Sequence, residues 1–129
     1  MQITRPQARD PVKTIRKEIE TWDSPFVGLD CFGTDNAERI ASIVNEFCRT
    51  HLHSGVRGYS FYRASVGSTH GIQLEDDRNV VIKVRPPPET NPDLSFNQNS
   101  LKTICAVMTW LAERNYPCPT ILLDPTPLV

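Results

Sequence analysis

Residues 80–88 read VVIKVRPPP, a short apolar run that holds one lysine and ends in three consecutive prolines. Valine and isoleucine favour strands, whereas proline cannot continue the interior of a sheet, so a strand is predicted to stop just before the prolines. Side chains alternate across a strand, which places Val80, Ile82 and Val84 on one face and Lys83 on the other. Because an unpaired buried ammonium is costly, Lys83 is expected at an open face or beside an anion such as a carboxylate or a phosphate.

The segments before this strand predict two partners for it. Residues 58–64, GYSFYRA, are rich in strand-forming aromatic residues, and residues 71–74, GIQL, form a second short strand. Residues 65–70 and the acidic stretch 75–79 have turn compositions. Three strands joined by close turns predict an antiparallel meander.

Helices are predicted in the chain before and after the meander. Asp10-Pro11 is a good helix start, and Asp35 with Glu38 resembles a capping box for a second helix. Between them, a loop is expected through Gly28 and Gly33. Apolar residues at helical spacing follow in both later helices. They are Ile40, Ile43, Val44, Phe47 and Cys48 in the second helix, and Leu101, Ile104, Cys105, Met108 and Leu111 in the third.

The predicted fold class is therefore α+β, a small antiparallel sheet with packed helices. Residues 1–34 are assigned to an N-terminal helix and loop extension, and residues 35–129 to the main unit, with Asn115 ending its last helix and a final strand at 121–123. Trp22 and Trp110 are expected in the core or at an interface.

Composition excludes several function classes. The chain has 129 residues, 39% of them hydrophobic and 22% charged, with a formal net charge of -1 and no long basic run. Such a balance is typical of a soluble globular domain and argues against nucleic-acid binding. The polar N-terminus does not resemble a signal peptide, and no apolar run is long enough for a membrane span. Four cysteines without a CxxC pair predict reduced thiols and a cytoplasmic protein.

The order of these segments resembles a known family. VVIKVRPPP at 80–88 is similar to the lysine strand of the aminoglycoside phosphotransferase and choline kinase-like family, whose fold is protein kinase-like. WLAERNYPCPTILLD at 110–124 resembles the segment that leads from that family's helix into the following strand. The resemblance covers about residues 37–124. It implies an N-terminal lobe of such an enzyme, with the large lobe absent.

The resemblance also implies site residues. In that family the strand lysine contacts the α- and β-phosphates of ATP, a role that falls here on Lys83. The turn that covers the phosphates would contain Ser65, Gly67, Ser68 and Thr69, whose backbone N–H groups and hydroxyls suit an anion.

This chain departs from the family pattern at two places. The helix glutamate that normally holds the lysine is replaced by Ile104. No HxDxxxxN segment follows Lys83, and DCFG at 30–33 precedes the lysine and is interpreted as a loop. The sequence therefore predicts neither a catalytic residue nor a metal ligand, and Mg²⁺ is expected only in a complete enzyme.

Three functions remain open at this point. The chain is either a nucleotide-binding lobe that needs a missing C-terminal lobe, a degenerate lobe that binds a protein partner or itself, or a small domain in which Lys83 is merely solvated. Self-association is expected, because half of a two-lobed fold exposes an apolar face. The remaining polar candidates are weak: His51 and His53 point to different sides of a helix, which disfavours zinc, and His70 is expected to be exposed in a turn.

Overall fold

The chain forms an α+β fold with a small antiparallel sheet, as the sequence predicts. The computed structural model describes residues 8–22, 26–64, 67–86 and 98–128. The described part contains one sheet with strand order β1-β2-β3 and four helices. In chain order the elements are α1 (Pro11–Trp22), α2 (Phe26–Phe32), α3 (Ala37–His51), β1 (Val56–Ala64), β2 (Ser68–Leu74), β3 (Asn79–Val84) and α4 (Gln98–Glu113).

Side-chain caps start two of the helices. Asp10 precedes α1, as predicted, and its Oδ1 accepts a hydrogen bond of 3.0 Å from the N–H of Lys13. At α3 the predicted capping box is wrong by one residue. Asn36, not Asp35, is the cap, and its side chain accepts from the N–H of Arg39 at 2.9 Å. The helix therefore begins at Ala37, and Glu38 lies in its first turn.

Residues 26–32 form a helix where the sequence predicts a loop. Gly28 and most of DCFG lie inside α2, and only Gly33 stands outside it, with a φ of 71° that suits glycine at a helix end. Contacts with the sheet hold this short helix in place. The Cys31 thiol donates to the Val84 carbonyl oxygen at 3.8 Å, and the Phe32 ring meets the His70 ring edge-on.

The three strands pair antiparallel along their length. β1 pairs with β2, with irregularities between Val56 and Gly58 and between Tyr59 and Phe61, and β2 pairs regularly with β3. The turn before β2 is shorter than predicted, because residues 68–70 already belong to the strand. Arg9 lines the outer edge of β1 through two backbone hydrogen bonds of 2.8 Å with Tyr59.

One core joins the first and third helices to one face of the sheet. Ile15 of α1 is fully buried with apolar residues of α3 and of all three strands. The helix assigned to an N-terminal extension thus shares this core. The fully or nearly fully buried members are Ile15, Ile40, Val44, Cys48, Tyr59, Tyr62, Ile72 and Leu74. Burying one such large side chain stabilises a fold by about 1.5–3 kcal/mol.

Helix α4 packs against the chain that follows it. Its end has the hydrogen bonds of a Schellman motif, from Asn115 N–H to Ala112 and from Tyr116 N–H to Leu111, with Asn115 at a φ of 61°. Among the described elements, α4 has no extensive interface with the sheet or with α1–α3. The apolar pattern thus predicts the helix correctly, but not its packing.

One prediction about this part of the chain is wrong. Residues 121–123 form no strand, because Pro119 and Pro125 flank them and no strand of the described sheet pairs with them. Trp110 is half-exposed, with the Arg114 guanidinium 3.8 Å from its ring centroid, and so lies outside the core. Its place at an interface, the other expectation for this residue, stays a prediction. Trp22 ends α1, and its side chain lies outside the described residues.

Candidate functional site

The sheet has one covered face and one open face. Ser68, His70, Ile72 and Leu74 of β2 are buried against the helices, whereas Thr69 and Gln73 between them are only partly covered. On β3, Val80 and Val84 are buried, and Val81 and Lys83 are exposed. The alternation inferred from the sequence is therefore confirmed, and Lys83 lies on the open face.

Strand register gives Lys83 its neighbours. Lys83 is paired with Thr69 of β2, and Thr69 is paired with Arg63 of β1. Directly opposite residues of antiparallel strands share a face, so these three form one row across the sheet. Within the described ranges 8–22, 26–64, 67–86 and 98–128, no carboxylate forms a salt bridge with Lys83.

A second, apolar row lies beside this polar row. Gly71 of β2 is paired with Phe61 on one side and Val81 on the other. The Phe61 ring lies so close over Gly71 that a Cβ added there would collide with it. Val81 is 56% exposed. The open face thus combines a flat apolar surface with a row that carries two cations and a hydroxyl.

Gly67, the described residue before β2, packs against Val84, the residue after Lys83. Gly67 is buried, and an added Cβ would collide with the Val84 carbonyl oxygen of β3. Glycine is therefore required there for close packing, whether or not the turn meets a ligand. Ser65, the first predicted member of the turn, lies outside the described residues.

Ser68 and Thr69 belong to β2 and point to opposite faces. The Thr69 side chain is on the open face with Lys83. The Ser68 side chain is buried, and its Oγ lies 2.8 Å from the Nε2 of His70. The hydroxyl of Ser68 is thus used inside the core, and only its backbone remains beside the turn.

His70 is the polar centre of the covered face. Its side chain is fully buried, and its Nδ1 lies 2.7 Å from the Tyr59 hydroxyl. Because a neutral imidazole donates from one nitrogen and accepts at the other, one of its two hydroxyl partners accepts and the other donates. The rings of Phe32, Tyr59 and Tyr62 surround it at centroid distances of 4.8–5.7 Å.

Burial changes the acid–base properties of this cluster. It lowers the pKa of His70 from 6.5 to about 3, so the imidazole is neutral at physiological pH. Burial also raises the pKa of Tyr59 well above its usual range. It raises the pKa of Tyr62 to about 12, although a hydrogen bond with Ser68 acts in the opposite direction and lowers this pKa. Every buried side-chain polar atom in the described part of the chain has a hydrogen-bond partner. The cluster therefore fixes the β1–β2 register without offering a group that titrates near pH 7.

The expectation that His70 is exposed in a turn is wrong. His70 stands two residues before Ile72 and four before Leu74, so strand alternation places all three on the core face. Starting β2 at Ser68 instead of Gly71 would have revealed this from the sequence.

The thiols of the covered region are poor nucleophiles. Burial raises the pKa of Cys31 to about 11, and Asp30 adds to the rise. Burial alone raises the pKa of Cys48 to about 11. All four cysteines are free. Cys31 and Cys48 therefore act as packing residues at neutral pH.

Helix α4 lines a shallow groove away from the sheet's polar row. The groove has a volume of about 440 Å³ and contains Lys102, Cys105, Trp110, Glu113 and Asp124. Ile104 is 41% exposed, and Val107 is 52% exposed. No group of three or more potential metal ligands is present in the part of the chain that the structure describes. No helix there is long and apolar enough to cross a bilayer.

Comparisons with known proteins identify no relative. The chain matches no protein-family profile, no curated protein and no solved structure. Its function therefore has to be argued from the geometry of the open face.

Proposed function

We propose that the chain is a nucleotide-binding lobe of an aminoglycoside phosphotransferase-like small-molecule kinase. Its fold would then be a protein kinase-like N-terminal lobe, and Lys83 would contact the nucleotide phosphates. The lobe binds ATP but does not transfer phosphate by itself, because the sequence after Lys83 has no HxDxxxxN segment.

One observation carries this proposal: the position of Lys83 on the open face, opposite Thr69 and one residue before Val84, against which Gly67 packs. An exposed ammonium in the same row as a hydroxyl suits a phosphate. The neighbouring apolar row of Phe61, Gly71 and Val81 suits a flat base. A turn, a lysine strand and a helix also follow one another in the order of the resembling family.

The described residues supply no metal site of their own for Mg²⁺. Among them, no carboxylate forms a salt bridge with Lys83. Mg²⁺ would therefore arrive bound to the nucleotide phosphates, and the carboxylates that hold it would come from outside these residues.

Calorimetric titration with a nucleotide series tests the proposal. ATP·Mg²⁺ should bind the purified chain, and AMP should bind at least tenfold more weakly because its phosphate does not reach as many cationic groups. The substitution Lys83→Ala should weaken ATP binding more than AMP binding, because AMP offers the lysine only an α-phosphate. Equal affinity of the wild type and Lys83→Ala for ATP would remove the lysine from the site.

A second candidate function is a non-catalytic module that binds a protein partner or a second copy. The exposed apolar residues of α4, namely Ile104, Val107 and Trp110, favour it, because an apolar stripe of this kind is typical of an interface. Sedimentation velocity tests this interface, and the calorimetric titration with ATP·Mg²⁺ distinguishes the two functions. Self-association that Val107→Glu abolishes supports the module, whereas a monomer at high concentration argues against self-association.

A further inference from the structure

Arg63 is the one other cation in the Lys83–Thr69 row. Thr69 is paired with Lys83 on one side and with Arg63 on the other. Strands lie about 4.8 Å apart, so the two cationic residues stand about 10 Å apart at the backbone with the Thr69 hydroxyl between them. Both side chains are long enough to converge over Thr69 on one extended anion.

We propose that Arg63 is a second phosphate-contacting residue, and that the row of Arg63, Thr69 and Lys83 binds a polyphosphate chain. The row itself rests only on register and exposure; the identification of the ligand as a nucleoside triphosphate rests on the proposed function. A single phosphate would engage one end of the row, whereas a triphosphate spans more of it. The row therefore favours a triphosphate over a monophosphate.

The present partner of Arg63 leaves it free to exchange. Its Nη1 lies 3.5 Å from Glu18 Oε2, longer than the 2.7–2.9 Å of a charge-assisted hydrogen bond, and it donates to the Tyr62 carbonyl at 3.1 Å. The Arg63 side chain is 72% exposed. The pair joins an exposed guanidinium to a largely buried carboxylate over a long distance. An arriving phosphate thus competes with this carboxylate and with the Tyr62 carbonyl for the Arg63 guanidinium.

Glu18 makes this competition measurable. Its side chain is only 10% exposed, so it stays beside Arg63 rather than turning into solvent. It attracts Arg63 towards α1 and away from Lys83. Removing its charge with Glu18→Gln should release Arg63 and tighten anion binding, which is the opposite of what loss of a merely structural contact would produce.

The experiment is a calorimetric titration of inorganic tripolyphosphate, and separately of ATP·Mg²⁺, into the purified chain at low salt. Arg63→Gln and Lys83→Gln should each weaken both ligands roughly tenfold, the loss typical of one charge-assisted contact. Glu18→Gln should strengthen both about twofold or more. Arg57→Gln is the matched control, because Arg57 is on the same strand and is paired with Asp77 at the far end of the sheet. It should leave both affinities unchanged.

The double variant Arg63→Gln/Glu18→Gln guards against a folding artefact. It leaves no unpaired carboxylate in place of the ion pair, and it should bind as weakly as Arg63→Gln. Tripolyphosphate and ATP affinities that are unchanged in Arg63→Gln overturn this inference, and if Lys83→Gln still weakens ATP, the proposed function stands. If tripolyphosphate binding depends on Arg63 while ATP·Mg²⁺ binds no more tightly than tripolyphosphate does, that result supports the row and overturns the nucleotide function. A wild-type chain that binds neither ligand overturns both.

Discussion

Replacing His70 by glutamine should remove much of the acid sensitivity of this fold. His70 is fully buried, aromatic rings surround it, and two hydroxyls occupy its nitrogens, so the folded chain holds it neutral. The unfolded chain exposes it and binds a proton below pH 6.5. Stability is therefore complete above pH 6.5 and is lost as the pH falls from 6.5 towards the folded pKa of about 3.

The size of the effect follows from the two pKa values. Between pH 7 and pH 5, a histidine with a pKa of about 3 when folded and 6.5 when unfolded costs about 2 kcal/mol of unfolding free energy. Few carboxylates titrate in that window, so most of the slope belongs to histidine. Glutamine at position 70 keeps a donor and an acceptor but does not titrate.

Urea unfolding at pH 7, 6 and 5 measures this slope. His70→Gln should be less stable than the wild type at pH 7, because one hydroxyl partner loses good geometry, but its stability should be nearly constant down to pH 5. His53→Asn is the control, because His53 is exposed at a φ of 59° that asparagine tolerates. It should keep the wild-type slope. A wild type with no slope, or the same slope in His70→Gln, would refute a buried neutral His70.

Two further predictions concern the helices. Asn36→Ala should lower the unfolding free energy by about 1 kcal/mol because it removes the cap of α3, whereas Asp35→Ala should lower it clearly less. Equal losses of unfolding free energy in urea would instead support Asp35 as a cap, as the sequence predicts. Cys48 should react with N-ethylmaleimide at pH 7.5 far more slowly than the partly exposed Cys118. Peptide mass spectrometry reads this order directly, and fast labelling of Cys48 would contradict its burial.

Periodicity explains why most elements were predictable. The alternation of Val80, Ile82 and Val84 with Lys83 identifies both the strand and its two faces, because side chains on a strand repeat every two residues. The 3.6-residue repeat identifies α3 and α4 in the same way. The open-face position of Lys83 is therefore confirmed, whereas its contact with phosphate stays a prediction.

The errors come from features that periodicity does not contain. Asp35 and Asn36 are both good helix caps, so the sequence alone does not show which of the two residues precedes the first turn of α3. Helix α2 has seven residues and a glycine, too few to show a repeat, and contacts of Cys31 and Phe32 with the sheet hold it. Trp110 is expected in the core or at an interface, and its half-exposed position excludes only the core, because the apolar pattern of α4 predicts a helix but not what covers it.

One part of the candidate site can be predicted from the sequence, and another part cannot. The alternating pattern of its own strand identifies the face on which Lys83 lies, but the row that joins Lys83 to Thr69 and Arg63 depends on the pairing of three strands. Pairing register is set by distant residues, including the buried contact between His70 and Tyr59. Arg63 therefore could not be proposed from the sequence alone.

Amide chemical shifts of the ¹⁵N-labelled chain locate bound ATP·Mg²⁺ residue by residue. In such a titration, we expect the largest shift changes at Gly67, Thr69, Val81 and Lys83, on the open face and beside it. Changes confined to α4 and its groove, or no change at millimolar ATP, would contradict a nucleotide site on this sheet.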